Sequence, residues 1–193
     1  MVKKLVLLAV LALALPLAAF ANSSIDISNA GGVVSGNSSG LTLTGSTLWK
    51  YGSAVGSNLG TVDFSTGAFT SGNAQAGGIL APGGTFTITG NGTNGIPNGV
   101  IFSGTFSSAE WDLMTLADGT HIYTLTGGLV SPTGQVAATV QLTVNVGKGY
   151  FNGSADLSSG DTNLSVPEPG TLSLFGTGLI GLAGVIRRKL NLV

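Results

Sequence analysis

Cysteine is absent from the 193 residues of the chain, histidine occurs once, and only 8% of the residues are charged. Without cysteine the chain can form neither a disulfide nor a thiolate metal site, so its stability has to come from backbone pairing and apolar burial. A single histidine cannot build a histidine-rich metal site. We therefore expect no catalytic residue, no metal site and no cofactor.

The few charges are unevenly distributed along the chain. Five of the seven basic residues lie close to the two ends, and between them Lys50 and Lys148 face seven carboxylates. The central part is thus acidic and has no basic patch with which to displace counterions from nucleic acid. We exclude nucleic acid as a partner.

The last 28 residues contain three features in a fixed order: Val166-Pro167-Glu168-Pro169, an uncharged run at 171–186, and Arg187-Arg188-Lys189. The prolines favour a stiff, extended leader. As a helix the uncharged run spans roughly 24 Å, which approaches the about 30 Å of a hydrocarbon core when flanking residues contribute. We predict a transmembrane helix at about residues 171–187, with its basic end in the cytoplasm and the preceding chain outside.

This order of features closely resembles the PEP-CTERM sorting tail of Gram-negative bacteria. The resemblance implies recognition by a membrane-embedded exosortase, cleavage near the Pro-Glu-Pro segment, and transfer of the body to the cell envelope or extracellular matrix. The alternative is a plain C-terminal anchor that is not processed. The same tail is also classified as an ice-binding protein C-terminal domain, which adds ice binding as a hypothesis.

The amino end has the features of a secretory signal peptide. Lys3 and Lys4 precede an apolar run at 5–15, and Ala19 and Ala21 are the small residues that a signal peptidase reads. We predict a signal peptide at residues 1–21, cleaved before Asn22, with an uncleaved helix as the alternative. Together the two ends predict export across the inner membrane, with signal peptidase, exosortase and the membrane as partners.

The region between the two ends is predicted to be all-β. It is rich in glycine, serine, threonine and asparagine, with β-branched residues between frequent turn signals. We predict an antiparallel, jelly-roll-like β-sandwich at 22–158, a linker at 159–165, and the sorting and anchor segment at 166–190.

The strongest strand pattern covers residues 135–146, where apolar and polar residues alternate throughout. Upstream, Asp118-Gly119 predicts a two-residue type I′ hairpin turn, so that residues 110–146 form a three-stranded meander. Residues 85–89 and 99–106 are two further predicted strands. The glycine-rich stretch at 65–84 is predicted to contain a long loop, and a final strand is predicted at 149–157.

Several side chains are candidates for ligand binding. Trp49 and Trp111 are candidate stacking platforms for polysaccharide, because a strand can present an aromatic ring to a sugar. Glu110 and Asp112 share one strand face and are the candidates for calcium, although no Asp-x-Asp-x-Asp-Gly loop is present. Threonines at period two are the candidates for ice binding: Thr42, Thr44, Thr85, Thr87, Thr89, Thr124 and Thr126.

Four functions follow from these features. The leading hypothesis is an exported, non-enzymatic protein of the cell envelope or extracellular matrix. The second is a polysaccharide-binding or adhesion module, and the third is an ice-binding protein. A secreted hydrolase that uses His121 is the last, because no Gly-x-Ser-x-Gly elbow accompanies this histidine.

Overall fold

The computed structural model describes residues 23–132 and 137–166, and the regular structure in these ranges consists of twelve β-strands. The strands are β1 (Ser23–Ala30), β2 (Val33–Asn37), β3 (Gly40–Tyr51), β4 (Ala54–Thr66), β5 (Phe69–Asn73), β6 (Gly77–Leu80), β7 (Gly83–Asn91), β8 (Asn98–Thr115), β9 (His121–Val130), β10 (Ala137–Gly147), β11 (Ser154–Asp156) and β12 (Ser159–Val166). Residues 24–165 form one compact unit. The all-β, antiparallel prediction is confirmed.

Eight strands of this unit form a closed ring of hydrogen-bonded neighbours. The order is β1-β12-β10-β9-β8-β7-β4-β3, and β3 returns to β1 through the pairs Ile27–Tyr51 and Ala30–Thr47. Each of these pairings is antiparallel: β1–β3, β3–β4, β4–β7, β7–β8, β8–β9, β9–β10 and β10–β12. Because the ring has an even number of strands, β1 and β12 must be antiparallel as well. Ser24, near the start of β1, and Ser165, near the end of β12, therefore lie at the same end of the ring.

Two long strands of the ring divide one of their edges between two partners. The first half of β3 pairs with β2, which pairs with β11, while its second half pairs with β1. The first half of β8 pairs with β7, and residues 109–111 pair with β6 of the β5–β6 hairpin. This division joins the twelve strands into a single sheet. The two separate packed sheets of the predicted jelly-roll-like sandwich are not confirmed by this pairing.

The core is built from alternate residues of the ring strands, as period-two sequences require. Phe64, Phe86, Phe102 and Phe106 form one aromatic group, with ring centroids 5.9 to 6.4 Å apart. Trp111, Tyr123 and Phe151 form a second group, in which the Trp111 and Tyr123 rings stack at 5.2 Å. Apolar burial at both groups therefore supplies stability that no disulfide provides.

The turn of the β5–β6 hairpin packs against the second aromatic group. The Trp111 Nε1–H donates to the Ala74 carbonyl oxygen at 2.8 Å, and the Tyr123 hydroxyl donates to the Gln75 carbonyl oxygen. The Phe151 amide in turn donates to the Tyr123 hydroxyl at 3.2 Å. These bonds satisfy the polar atoms of two large aromatic side chains, which burial would otherwise leave without partners.

The predicted strand at 135–146 is confirmed by β10 over its described residues. Ala138, Val140, Leu142 and Val144 are buried, and the intervening residues are more exposed. The predicted meander is also present, since β8, β9 and β10 are consecutive neighbours. The predicted strand at 99–106 and the first strand of the predicted meander are one strand, β8, whose register shifts between Phe106 and Ser108.

The predicted type I′ turn is wrong. Five residues, 116–120, connect β8 to β9, and among the two residues Asp118 and Gly119 only the glycine has a positive φ, of 85°. The Gly119 amide donates to the Leu116 carbonyl at 3.0 Å, and the Leu116 amide donates to the Thr120 carbonyl at 2.8 Å. Asp118 instead accepts bonds from Thr120, so its side chain organises the turn without a left-handed backbone at Asp118 itself.

The predicted long loop at 65–84 is also wrong, because β5 and β6 form a hairpin there. Glycine is needed for its close backbone approach: a Cβ built at Gly78 would lie 2.0 Å from the Ser71 carbonyl oxygen. The glycine-rich composition, although typical of loops, therefore allows the backbones of β5 and β6 to pair closely.

The linker predicted at 159–165 is corrected by strand β12. Residues Ser159 to Ser165 pair with β10, from Thr143–Ser159 to Ala137–Ser165, and the other edge of the strand pairs with β1. Leu164 and Thr162 are buried. The strand predicted at 149–157 is confined to β11 (Ser154–Asp156).

Candidate functional site

A groove of about 920 Å³ lies on the solvent-facing side of β8, β9, β10 and β12. Its two ends are formed by Asp26 of β1 and by the segment Ile79, Leu80 and Pro82. Clefts of this size fall within the usual range for ligand sites, about 300–1,000 Å³. The groove is therefore the candidate functional site of the body.

The pairing of the strands places polar side chains of the groove in rows across the sheet. Asp161 is opposite Gln141, Gln141 is opposite Thr126, and Thr126 is opposite Glu110. The adjacent row contains Asn163, Thr139, Gly128 and Ser108. Because alternate residues of a strand share one face, these two rows point to the same side of the sheet.

Three carboxylates line the groove, and none of its described lining residues is basic. The Ser28 hydroxyl donates to Asp161 Oδ1 at 2.8 Å, which fixes this carboxylate. Asp26 forms an ion pair with Lys50, with 2.6 Å between Oδ2 and Nζ, and both side chains are partly exposed. Glu110 is exposed, so the groove presents negative charge and hydrogen-bond acceptors.

The two tryptophans proposed as stacking platforms have different environments. Trp111 is 1% exposed and packs against Tyr123 and Phe151, so its ring faces the core and cannot present a face to a sugar. This proposed role of Trp111 is therefore corrected to core packing. Trp49 is 40% exposed, but it does not line the groove.

His121 and the carboxylate pair of β8 are not brought together. His121 is 7% exposed, and its ring lies 4.1 Å from that of Tyr150, measured between centroids. Glu110 lines the groove, whereas Asp112 lies two residues further along β8, opposite Thr124. Within residues 23–132 and 137–166, no group of three or more histidines and carboxylates is arranged to hold a metal ion.

The threonines of β7 pair with polar residues of β4. Thr85 is opposite Ser65, with 3.1 Å between their hydroxyl oxygens, and Thr89 is opposite Thr61. The central residue, Thr87, is opposite Asp63, whose carboxylate accepts a bond from the Gly45 amide. The carboxylate interrupts the hydroxyl array at its centre.

The predicted sorting residues lie mostly outside the described residues. Val166 is the last residue of β12, directly before Pro167, Glu168 and Pro169. Those three residues, the cytoplasmic stop Arg187, Arg188 and Lys189, and the signal-cleavage residues Ala19, Ala21 and Asn22 are outside the two described ranges, as is the predicted helix at 171–187. In the part of the chain that the structure describes, no helix has the length and apolarity needed to cross a membrane.

The groove itself was not predicted from the sequence. Its polar residues alternate along β8, β9, β10 and β12, and that alternation is visible in the sequence as a solvent-facing pattern. The predicted meander placed the strands of residues 110–146 side by side, but residues 159–165, which form β12 beside β10, were assigned to a linker. For that reason Asp161 and Asn163 were not predicted as residues of a functional site.

Comparison with protein families identifies a PEP-CTERM protein-sorting motif at residues 165–189. This match confirms the prediction made from the Pro-Glu-Pro segment, the uncharged run and the basic cluster. The motif implies export, a membrane-anchored sorting signal and exosortase-dependent processing. It does not extend to an ice-binding classification. No curated protein and no solved structure matches the chain.

Proposed function

We propose that the protein is a non-enzymatic component of the cell envelope or extracellular matrix. A signal peptide at residues 1–21 directs export and is cleaved between Ala21 and Asn22. The helix at about 171–187 then holds the protein in the inner membrane, with Arg187, Arg188 and Lys189 in the cytoplasm. Exosortase cleaves near Pro167-Glu168-Pro169, and the β-body passes to the cell surface or outside the cell.

The observation that carries this proposal is the position of the β-body between the two targeting segments. Strand β1 begins at Ser23, just after the proposed signal-cleavage site, and β12 ends at Val166, just before Pro167. The buried hydrophobic core runs from Ile27 to Leu164. Cleavage at both proposed sites would therefore remove neither a ring strand nor a buried side chain of the core.

The adjacency of β1 and β12 adds physical support. Because these strands are antiparallel neighbours, Ser24 and Ser165 lie at the same end of the ring, and both targeting segments join the body there. The ring cannot close until β12 is available to pair with β1, so completion of the fold follows export of the whole body.

The environment of His121 supports a non-enzymatic role for this residue. Its ring is almost fully buried and is covered on one side by Tyr150. It does not line the groove. A general base has to reach the proton that it removes, directly or through one water.

The sorting proposal is tested by the mass of the protein released from cells that contain an exosortase. The unaltered chain is expected to give a product that begins at Asn22 and ends near Val166. Replacement of Pro167, Glu168 and Pro169 by alanine is expected to retain the protein in the membrane with its tail. A matched control replaces Leu190, Asn191 and Leu192 by alanine, just beyond the matched motif, and should still be processed.

Two results would contradict the proposal. Release of the same product from the Pro-Glu-Pro variant, or from cells without exosortase, would show that another protease removes the tail. Retention of residues 1–21 in the surface protein would show that the amino end is an anchor.

A further inference from the structure

We propose that the groove across β8, β9, β10 and β12 binds a polysaccharide that carries no acidic groups, with the sugar chain lying across the strands. This proposal goes beyond sorting and assigns a ligand to the exported body. It uses residues of the groove and neither tryptophan.

The length of the groove suits a polymer. The row of Asp161, Gln141, Thr126, Glu110 and Ile79 crosses five adjacent strands through directly opposed pairs. Four steps between strands, each about 4.8 Å, give a row about 19 Å long. The lining residues of the groove therefore span about 19 Å across the strands, which is the direction proposed for the ligand.

The lining offers both kinds of hydrogen-bonding group that a sugar chain requires. The carboxylates accept bonds, the amides of Gln141 and Asn163 both donate and accept, and the hydroxyls of Ser108, Thr126 and Thr139 do the same. Sugar hydroxyls also donate and accept, so each can exchange its water contacts for contacts with the groove. Ile79 is 52% exposed and, with Pro82, adds an apolar wall for the C–H face of a sugar ring.

Gly128 keeps the centre of the groove open. It stands in the row of Asn163, Thr139 and Ser108, and a Cβ built there would lie 3.0 Å from Ser107 Oγ and 3.3 Å from Ser108 Oγ. Its φ is not in the left-handed region, so a larger residue can be introduced without backbone strain. A larger side chain at this position would occupy the space proposed for the ligand.

The charge of the groove selects among polysaccharides. Glu110 and Asp161 contribute negative charge, the charge of Asp26 is balanced by its ion pair with Lys50, and no described lining residue is basic. Lys50 is paired with Asp26 at one end of the groove. A polymer of uronic acids would bring like charges together, whereas a neutral glucan or an amino-sugar polymer would not.

The test measures binding of three soluble polymers to the full-length chain, purified in detergent and immobilised. The polymers are a neutral glucan, a glucosamine oligomer and an alginate. We expect the glucan or the glucosamine oligomer to bind and the alginate to bind at least about tenfold more weakly. Because no exosortase takes part, failure of this test leaves the sorting proposal intact, and failure of sorting leaves this one intact.

Two variants locate the site. Gly128→Leu should abolish binding, and the double variant Gln141→Ala, Asn163→Ala should weaken it about five- to tenfold or more through loss of hydrogen bonds. The matched controls are Gly149→Leu and Asn152→Ala, at exposed positions outside the groove; a Cβ built at Gly149 would meet no atom closer than 3.9 Å. If Gly128→Leu does not fold, the double variant alone decides.

Three results would overturn the proposal. The first is that neither the glucan nor the glucosamine oligomer binds. The second is that both folded groove variants bind as well as the unaltered chain, and the third is that alginate binds as tightly as the other polymers. Binding of a lysine-rich peptide in place of any polysaccharide would also overturn it, because it would identify the groove as a site for cationic protein segments.

Discussion

Replacement of Trp111 by phenylalanine tests whether the aromatic group beside the β5–β6 turn stabilises the body. The substitution keeps one ring in the core but removes the Nε1–H that donates to the Ala74 carbonyl at 2.8 Å. The bond is partly buried, and leaving its acceptor without the donor costs about 1–3 kcal/mol. Removing the rest of the indole from its contacts with Tyr123 and Phe151 adds about 1 kcal/mol. We expect the free energy of unfolding to fall by about 2–4 kcal/mol in total.

Trp49→Phe is the matched control, because the chain contains two tryptophans and Trp49 is 40% exposed. Its cost should remain within about 0.5–1 kcal/mol. Urea unfolding of a protein comprising residues 22–166, followed by circular dichroism, measures both free energies. Each variant also leaves a single tryptophan, so iodide quenching reports the two sites separately. Trp111 fluorescence should resist iodide, and Trp49 fluorescence should be quenched.

The reasoning would be refuted if Trp111→Phe left the free energy of unfolding unchanged within about 0.5 kcal/mol. Equal quenching of the two tryptophans would refute it independently. Quenching of Trp111 as strong as that of Trp49 would mean that its ring is accessible to solvent, and its role as a sugar platform would then have to be considered again.

Three further predictions concern the β8–β9 turn and strand β12. The pKa of Asp118 is lowered, first by the Thr120 backbone amide and then by the Thr120 hydroxyl. The charged form of this exposed group therefore contributes stability that is present above the ordinary Asp pKa of about 3.9 and is lost as the pH falls through the folded-state value. The stability difference between the unaltered chain and Asp118→Asn, measured by urea unfolding, should disappear with acidification; a constant difference down to about pH 2 would contradict this. In β12, Thr162 Oγ1 is buried without a hydrogen-bond partner, so Thr162→Val should raise the unfolding free energy by about 1 kcal/mol. Thr162→Pro should instead interrupt the pairing of β12 within the ring, so this variant should not fold and should show no cooperative unfolding transition. A folded proline variant would contradict the pairing of β12, and a destabilised valine variant would contradict the burial of an unpaired Thr162 hydroxyl.

Local sequence patterns predicted the faces of strands well. In β10, the alternation from Ala138 to Val144 requires only that one face be apolar, and period two supplies that information within the strand itself. The position of the β8–β9 hairpin was predicted for a similar reason, since Asp118 and Gly119 are turn residues in most contexts. The detailed turn type was not predicted, because the Asp118 side chain, by binding Thr120, allows a five-residue connection.

The polar segments were misassigned because their structure depends on distant partners. Residues 65–84 and 159–165 have compositions typical of loops and linkers. Ile79 becomes part of a strand by pairing with Glu110, and Asp161 does so by pairing with Gln141. Neither partner is close in sequence, and the free energy of such a ladder comes from both strands together.

The sequence alone determined the sorting of this protein and the all-β class of its body. A sorting tail is a linear signal whose prolines, uncharged run and basic residues act in their order along the chain, so its recognition needs no tertiary contact. The closed ring, the burial of Trp111 and the groove were decided only by the tertiary structure. This is because the pairing of β12 with β10 and β1, which closes the ring and completes the groove, joins strands that are not consecutive in the chain, and no local pattern encodes it.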